Sequence, residues 1–257
     1  MTIDLRSRAG QTLLAIVFSG AAACAHAPEQ QVAAETSPVA SAAQAPAAQI
    51  PPCSKLTSPA TPPKGWTYLP EIAAICDADI FHAVARGKSG GPAQQIEVRT
   101  RQNVGILEHA VEVPLDATTK LAWNWNVTTV PSKIAETTPP GHDYLSIAVK
   151  FDNGQDLTYM WSATLAPDTG FRCPLPGWDT RETHVVLRSD AKDLGRWLSE
   201  KRNILADYTK YVGGKPPAKV THVWLIANSL FQQGEGAVNF GDIALLSGTK
   251  ARRTKVF

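Results

Sequence analysis

The sequence predicts an all-β protein, an antiparallel β-sandwich of the jelly-roll type with one helix late in the chain. Several short segments alternate apolar and polar residues with a period of two, which is the pattern of strands that bury one face. Turn residues rich in Gly, Pro and Asn separate these segments at short intervals. The segments do not alternate with helices, and no phosphate-binding glycine motif occurs, so a doubly wound nucleotide-binding fold is not expected.

The strongest strand signal covers residues 121–127. Trp123 and Trp125 point to one face of this segment, together with two aliphatic residues, and so provide a large apolar area for a core. Asn124 and Asn126 point to the opposite face, where two amides are unusual for a strand that is merely solvated. We therefore expect the tryptophans to be buried and the amides to face outward.

The remaining strands follow from the same alternation. Taken with 121–127, the predicted strands are 80–86, 95–101, 107–113, 144–151, 157–162, 184–188, 220–226 and 238–245. Asn153-Gly154 between two apolar runs is a strong hairpin signal. Apolar residues at helical spacing predict the single helix at 197–212, and Gly213-Gly214 ends it.

Composition divides the 257 residues into four parts. We expect an export segment at 1–24, an Ala- and Pro-rich tether at 25–63, one jelly-roll domain at 64–248 and a solvated basic tail at 249–257. The formal net charge is only +2, so no basic field suggests nucleic acid as a partner.

The first residues have the features of an export signal. Arg6 and Arg8 precede a short apolar run, and three alanines precede Cys24. Small residues before Cys24 resemble a bacterial lipobox, whose cysteine is lipidated and becomes the new N-terminus. Ordinary cleavage after Ala25 is the alternative. We expect an exported, periplasmic protein that contacts the membrane through a lipid anchor only.

Export also bears on the remaining cysteines. An oxidising compartment favours one disulfide and leaves one thiol over. Cys53–Cys76 is the most local pairing and is our prediction, while pairings of either residue with Cys173 stay open. None of these cysteines has the spacing of a metal site.

Ordered motifs between Trp66 and Gly248 resemble a family of exported bacterial domains, the domain of unknown function 3047. The motifs are Leu121-Ala122-Trp123-Asn124-Trp125, His142-Asp143-Tyr144, Tyr159-Met160-Trp161, Trp197, Arg202-Asn203, Asp207-Tyr208 and Phe240-Gly241-Asp242-Ile243. The resemblance implies a jelly-roll sandwich similar to galactose-binding-type modules, and it implies no established activity.

Four residues are predicted to bind a ligand. Asn124 and Asn126 suit the donor and acceptor pattern of sugar hydroxyls if their face is a groove; otherwise they cap a covered sheet or face solvent. Trp178 lies in a Gly- and Pro-rich loop and is a candidate sugar platform, or else an anchor that packs against the end of the sandwich. Asp143, beside His142, is a candidate charge partner or general base.

No metal or cofactor is predicted. The histidines of the predicted strands lie on four different strands, so no two have the spacing of a local metal pair: His82, His109, His184 and His222. The catalytic residues are unknown, because glycoside hydrolysis needs two carboxylates at a defined separation that the sequence does not show.

We favour an envelope-anchored, non-catalytic jelly-roll domain that binds carbohydrate or another polar component of the cell envelope. One alternative is a polysaccharide-active lyase or hydrolase that uses Asp143, His142 or Glu108. Another is a structural or assembly protein of the envelope. Fold analogy alone does not separate these three classes.

Overall fold

Two β-sheets pack over one apolar core in the computed structural model of the chain. The structure describes Cys53 and residues 61–76, 79–87, 90–142, 144–189 and 191–257. The export segment, Cys24, most of the predicted tether and Asp143 lie outside the described residues. No described helix is long and apolar enough to cross a membrane.

The described chain forms thirteen strands and two very short α-helices. The strands are β1 Thr67–Tyr68, β2 Phe81–Ala85, β3 Gln94–Arg101, β4 Val104–Pro114, β5 Lys120–Thr129, β6 Leu145–Phe151, β7 Asp156–Trp161, β8 Gly170–Arg172, β9 Glu182–Arg188, β10 Leu198–Asn203, β11 Lys219–Asn228, β12 Glu235–Ser247 and β13 Arg252–Lys255. The helices are α1 Pro70–Ala73 and α2 Ile204–Asp207, and a π-helical turn, Tyr208–Val212, follows α2.

The strand order defines two sheets. The seven-stranded sheet has the order β1-β4-β11-β6-β7-β9-β8, and the six-stranded sheet has the order β10-β5-β12-β3-β2, with β13 beside β12. Every pairing is antiparallel except that of β7 with β9. The predicted antiparallel β-sandwich with a short helix late in the chain is therefore confirmed.

The two tryptophans of β5 join the sheets. Trp123 is 2% exposed and stacks on Tyr159 of β7, with ring centroids 5.6 Å apart. Trp125 is fully buried and meets Trp161 of β7 edge to face at 5.8 Å. The alternation of β5 thus places its apolar face in the core and its amides on the opposite face, as predicted.

The predicted helix at 197–212 is wrong in its first half. Residues Leu198–Asn203 form an edge strand, β10, whose six residues pair with β5 from Leu198↔Trp125 to Asn203↔Lys120. Asn203 then ends the strand and begins the helix, because its side chain accepts a hydrogen bond from the backbone N–H of Ala206. Backbone pairing with the open edge of β5 overrides the local helical pattern.

The chain end also differs from the prediction of a solvated tail. Residues Arg252–Lys255 pair with the last part of β12, from Ala244↔Lys255 to Ser247↔Arg252. The basic side chains of this strand are exposed, while the following Val256 is buried in the core. The end of the chain is thus part of the six-stranded sheet.

The predicted disulfide Cys53–Cys76 is present, with Cα atoms 5.7 Å apart. It joins the segment before the domain to Cys76, three residues after the end of α1. Cys173 lies outside the disulfide and is buried. Of the three pairings that the sequence left open, the most local one is the one that the structure contains.

Candidate functional site

The predicted ligand residues lie on two different surfaces. Asn124 and Asn126 face outward, away from the core, from β5 of the six-stranded sheet. Trp178 packs on Trp224 of β11, which belongs to the seven-stranded sheet. These residues therefore do not form one site, and Asp143 lies outside the described residues.

An open cavity of about 580 Å³ lies on the outer face of the six-stranded sheet, and we call it the polar groove. Its lining residues come from β5, β10, the bulge in β12 and β13: Ala122, Trp123, Asn124, Ser199, Glu200, Lys201, Asp242 and Arg253. Asn124, one of the four predicted residues, stands in the groove. Sequence reasoning missed the others, although period-two alternation in 198–203 would have placed Ser199 and Lys201 on one face.

Asn124 is held at both ends of its side-chain amide. Its Nδ2 donates to the Oδ2 of Asp242 over 2.8 Å, and the hydroxyl of Ser199 donates to its Oδ1 over 2.5 Å. These three side chains come from three adjacent strands and fix the plane of the amide. An oriented amide at a sheet surface is suited to hydrogen-bonding a polar ligand.

Asp242 reaches Asn124 because the backbone of β12 is irregular there. The register of β12 against β5 shifts between Gly241 and Ala244, and Asp242 has a φ of +53°. Such a backbone conformation is costly for a residue other than glycine, and bulges of this kind turn a side chain to a new direction. The bulge therefore directs a carboxylate into the groove.

Cationic side chains flank the same groove. Lys201 and Arg253 are exposed, and Arg253 Nη2 donates to the backbone oxygen of Asp242 over 3.3 Å. Glu200 lines the groove but directs its carboxylate elsewhere, since that group accepts from Trp125 Nε1 at 3.2 Å and from Arg188 Nε at 2.8 Å. Two cations and one hydrogen-bonded carboxylate thus define the charge of the groove.

Asn126 is not part of the groove. It is 3% exposed, and its Nδ2 donates to the backbone oxygen of Gly195 over 3.3 Å. The backbone N–H of Gly195 donates in turn to the oxygen of Val127 over 2.8 Å, so the connection between β9 and β10 covers this part of the sheet. Asn126 therefore caps a covered part of the sheet, which was the alternative to a ligand-binding role.

Trp178 anchors its loop to the outer face of the seven-stranded sheet. Its ring meets Trp224 edge to face at 6.4 Å, and the guanidinium of Arg181 lies 3.8 Å from the ring centroid on one side. The ring is only half-buried, but Arg181 occupies part of the area that a sugar ring would need. The geometry of Trp178 matches the anchoring alternative.

Trp178 also lines a second cavity of about 100 Å³, which we call the apolar pocket. Most of its walls are aliphatic or aromatic, with three polar residues among them: Ile72, Ile75, Val104, Ile106, His142, Leu175, Trp178, Glu182, Ile226, Asn228, Leu230 and Phe231. Glu182 belongs to a buried cluster with Cys173 and His184, whose ligand atoms all lie within 4.8 Å of one another. Sequence reasoning missed this cluster.

Two buried groups at this pocket have shifted pKa values. Burial lowers the pKa of His142 to about 4, so the ring is neutral at pH 7. Its Nδ1 lies 2.6 Å from the backbone oxygen of Pro139 and therefore carries the ring proton. Burial by itself raises the pKa of Glu182, but neighbouring His184 and the Cys173 thiol outweigh that effect and hold the pKa below its usual range.

Among the residues that the structure describes, neither cavity presents a pair of opposed carboxylates. Two further buried acids are occupied within the fold: Glu136 accepts from Tyr144 and Ser162, and Asp207 accepts from Tyr159 and Arg202. Glu108, proposed as a catalytic alternative, lines neither cavity.

Comparison with known proteins identifies a family and finds distant likenesses among solved structures. The model of the family described as Protein of unknown function (DUF3047) matches residues 84–244, more than half of the chain and in agreement with the resemblance of its motifs. No curated protein matches.

Among solved structures, the xyloglucanase domain of NopAA, a type three effector from Sinorhizobium fredii in complex with cellobiose, is similar at 11% identity and a TM-score of 0.43. That likeness covers 75% of this chain and 100% of that one. A family 11 carbohydrate-binding module from Clostridium thermocellum in complex with a β-1,3-1,4-mixed-linked tetrasaccharide is similar at 9% identity and a TM-score of 0.34, covering 74% of this chain and 94% of that one. The family 11 carbohydrate-binding module of the cellulosomal cellulase Lic26A-Cel5E of Clostridium thermocellum gives 10% identity and a TM-score of 0.33, covering 72% of this chain and 85% of that one. All these TM-scores are below 0.5, so we infer no function from these likenesses.

Proposed function

This chain belongs to the family described as Protein of unknown function (DUF3047), and from that premise we propose that it is a non-catalytic, envelope-anchored module that binds carbohydrate in the polar groove. One observation carries the proposal. The amide of Asn124 is fixed between Asp242 and Ser199 at the floor of an open cavity of about 580 Å³.

The groove offers hydrogen-bonding atoms of both kinds. Asn124 keeps a second N–H, the Asp242 carboxylate keeps acceptor capacity, and the Ser199 oxygen keeps a lone pair. Sugar hydroxyls both donate and accept, so this mixture suits them better than it suits a purely anionic or apolar ligand. The backbone strain at Asp242 supports a binding role, because strained residues persist where function requires them.

Charge narrows the class of carbohydrate. Lys201 and Arg253 are exposed at the groove, and Asp242, the described residue whose carboxylate is aimed into it, already accepts from Asn124. Cationic side chains form stronger hydrogen bonds to a carboxylate than to a neutral hydroxyl. We therefore propose an acidic, uronate-containing glycan rather than a neutral one.

The affinity for a single short oligosaccharide follows from the number of contacts. Each hydrogen bond contributes roughly 0.5–1.5 kcal/mol net. The aromatic residue at the groove, Trp123, has its side chain buried in the core, so it offers no stacking platform. Three or four bonds correspond to a dissociation constant on the order of 1 mM, and repeated units of a polymer raise the effective affinity.

Location is part of the proposal. Cys24 after three alanines supports a lipid anchor, and the Ala- and Pro-rich segment supports a tether that lets the domain reach envelope polymers. The Cys53–Cys76 disulfide is consistent with an oxidising compartment.

The test compares two identical substitutions on one strand face. We expect Asn124→Ala to weaken binding of an oligogalacturonate about 2–10-fold by calorimetric titration, because it removes one or two bonds of the groove. Asn126→Ala is the matched control, since Asn126 lies under the Gly195 loop: it should leave the affinity unchanged and lower the stability by about 1 kcal/mol.

Lys201→Gln should weaken binding of the oligogalacturonate and leave that of a neutral cello-oligosaccharide unchanged. The proposed function fails if the wild type binds neither glycan at millimolar concentration. It also fails if Asn126→Ala reduces the affinity as much as Asn124→Ala at a temperature where both variants are folded.

A further inference from the structure

Three side chains with metal-binding atoms meet where β8 pairs with β9 in the seven-stranded sheet, away from the polar groove. Cys173 is 2% exposed, Glu182 is 2% exposed and His184 is fully buried. Their Sγ, carboxylate oxygen and ring nitrogen all lie within 4.8 Å of one another. Among the described residues this is the one group of at least three such side chains close enough to hold an ion.

Strand pairing brings the three together. β8 pairs with β9 so that Phe171 lies opposite His184, and the backbone N–H of Cys173 donates to the oxygen of Glu182 over 3.1 Å. Glu182 and His184 are two residues apart on β9 and therefore share one face. Cys173 follows β8 directly and sits across from Glu182 on that same face.

Neighbouring side chains orient the cluster. The ring of Phe171 stacks on His184, with an angle of 14° and a centroid distance of 4.9 Å. The hydroxyl of Thr158, on β7, donates to Glu182 Oε1 over 3.2 Å. Contacts of this kind, made by residues that do not themselves bind the metal, commonly hold the ligand side chains of metal sites in position.

We propose that Cys173, Glu182 and His184 bind one divalent cation of the zinc class. Zinc takes sulfur, nitrogen and oxygen ligands at about 2.0–2.3 Å, which places two donors of a tetrahedral site roughly 3.3–3.8 Å apart. His184 Nε2 and Glu182 Oε2 are already 3.5 Å apart. Small side-chain rotations bring the third donor to the same separation, since none of the three distances exceeds 4.8 Å.

Charge and softness select the cation. A thiolate and a carboxylate together neutralise a divalent ion, so the loaded site carries no net charge in an interior where an uncompensated charge is costly. Thiolate and imidazole favour zinc over magnesium and calcium, which prefer oxygen ligands throughout. The cluster therefore fits zinc better than the hard cations.

The cluster borders the apolar pocket through Glu182. Glu182 lines that cavity of about 100 Å³, and His142 lines it as well. Three protein ligands with one position left for water or a small ligand distinguish an open zinc site from a closed structural one. The neighbouring walls are mostly apolar, so a ligand of the metal would be shielded from bulk water.

The test uses zinc itself and the full chain. Protein stripped with a chelator and dialysed against zinc should retain about one zinc per chain, measured by atomic emission. Cys173→Ser, Glu182→Gln and His184→Gln should each lose that zinc. His82→Gln is the matched control, because His82 is a partly exposed histidine of the other sheet, and it should retain the metal.

Two measurements on the wild type decide the question even if a variant fails to fold. Cobalt should give a thiolate charge-transfer band in the near ultraviolet, and zinc at one hundred times its dissociation constant should raise the melting temperature by about 5–10 °C. The proposal is overturned if folded wild type retains no zinc, if cobalt shows no thiolate band, or if Cys173→Ser holds as much zinc as the wild type.

Discussion

Glu136 is the residue whose replacement the structure makes most informative for stability. It lies in the connection between β5 and β6, which is irregular and polar, yet it is fully buried. Its Oε1 accepts from the hydroxyl of Tyr144 at 2.5 Å and from the backbone N–H of Ala163 at 2.6 Å, while its Oε2 accepts from the hydroxyl of Ser162 at 2.5 Å. One carboxylate thus joins three donors from two other segments.

Glu136→Gln changes this arrangement by a single atom. The new amide keeps one oxygen for Tyr144 and Ala163, but its NH₂ replaces the oxygen that accepts from Ser162. Ser162 has no lone pair to spare, because its Oγ already accepts from the N–H groups of Thr164 and Leu165. Tyr144 cannot adapt by ionising, since burial is the main cause that raises its pKa well above the usual value, and burial persists in the variant.

The cost has two parts. One buried donor without a partner costs about 1–3 kcal/mol, and loss of the charge weakens the other two bonds by roughly 0.5–1 kcal/mol each. We therefore expect Glu136→Gln to lower the free energy of unfolding by about 2–5 kcal/mol. For a domain of this size that corresponds to a drop in melting temperature of about 4–20 °C.

Urea unfolding at pH 7 measures this loss, and Glu112→Gln is the control. Glu112 is an exposed glutamate on β4 whose ion pair with Lys219 lies in solvent, so its replacement should change stability by less than about 0.5 kcal/mol. If Glu136→Gln unfolds within 0.5 kcal/mol of the wild type, the hydrogen bonds assigned to Glu136 are not those of the folded protein.

Two further predictions concern acid stability and the anchor. Because burial lowers the pKa of His142 from 6.5 to about 4, the unfolded chain binds a proton that the folded chain does not, so stability should fall by about 3 kcal/mol as the pH falls from 6.5 to 4. His142→Gln should flatten the dependence between pH 6.5 and 5 in urea titrations, and an unchanged slope would contradict the assignment. A clickable fatty acid should label the wild type in cells and not Cys24→Ser; equal labelling of both, or of neither, would rule out the lipid anchor.

Local sequence was sufficient for much of the fold. The alternation of β5 specifies a strand with its tryptophans on one face, since the side-chain period of two makes any other register expose Trp123 and Trp125. The Asn153-Gly154 turn and the nearest disulfide pair depend on residues close together in the chain, and both are present. The family motifs likewise identify the sandwich from short, ordered segments.

Pairing with neighbouring strands determined the secondary structure of two segments that the local sequence pattern did not predict correctly. Leu198–Asn203 has residues at helical spacing, and the sequence alone predicts a helix there. The edge of β5 offers unpaired backbone N–H and C=O groups to any segment that lies beside it. Leu198–Asn203 forms a strand because that conformation lets it hydrogen-bond to those groups. The same kind of pairing, with β12, turns the predicted basic tail into β13.

The candidate sites show most clearly what could not be predicted from the sequence. Asn124 and Asp242 are 118 residues apart, and they meet only because β12 lies beside β5 and bulges at Asp242. Cys173 and His184 are brought together by the pairing of β8 with β9. The sequence by itself determined which faces are buried, because burial follows from periodicity. Which polar groups converge depends on strand order, register and bulges, and these are properties of the tertiary structure alone.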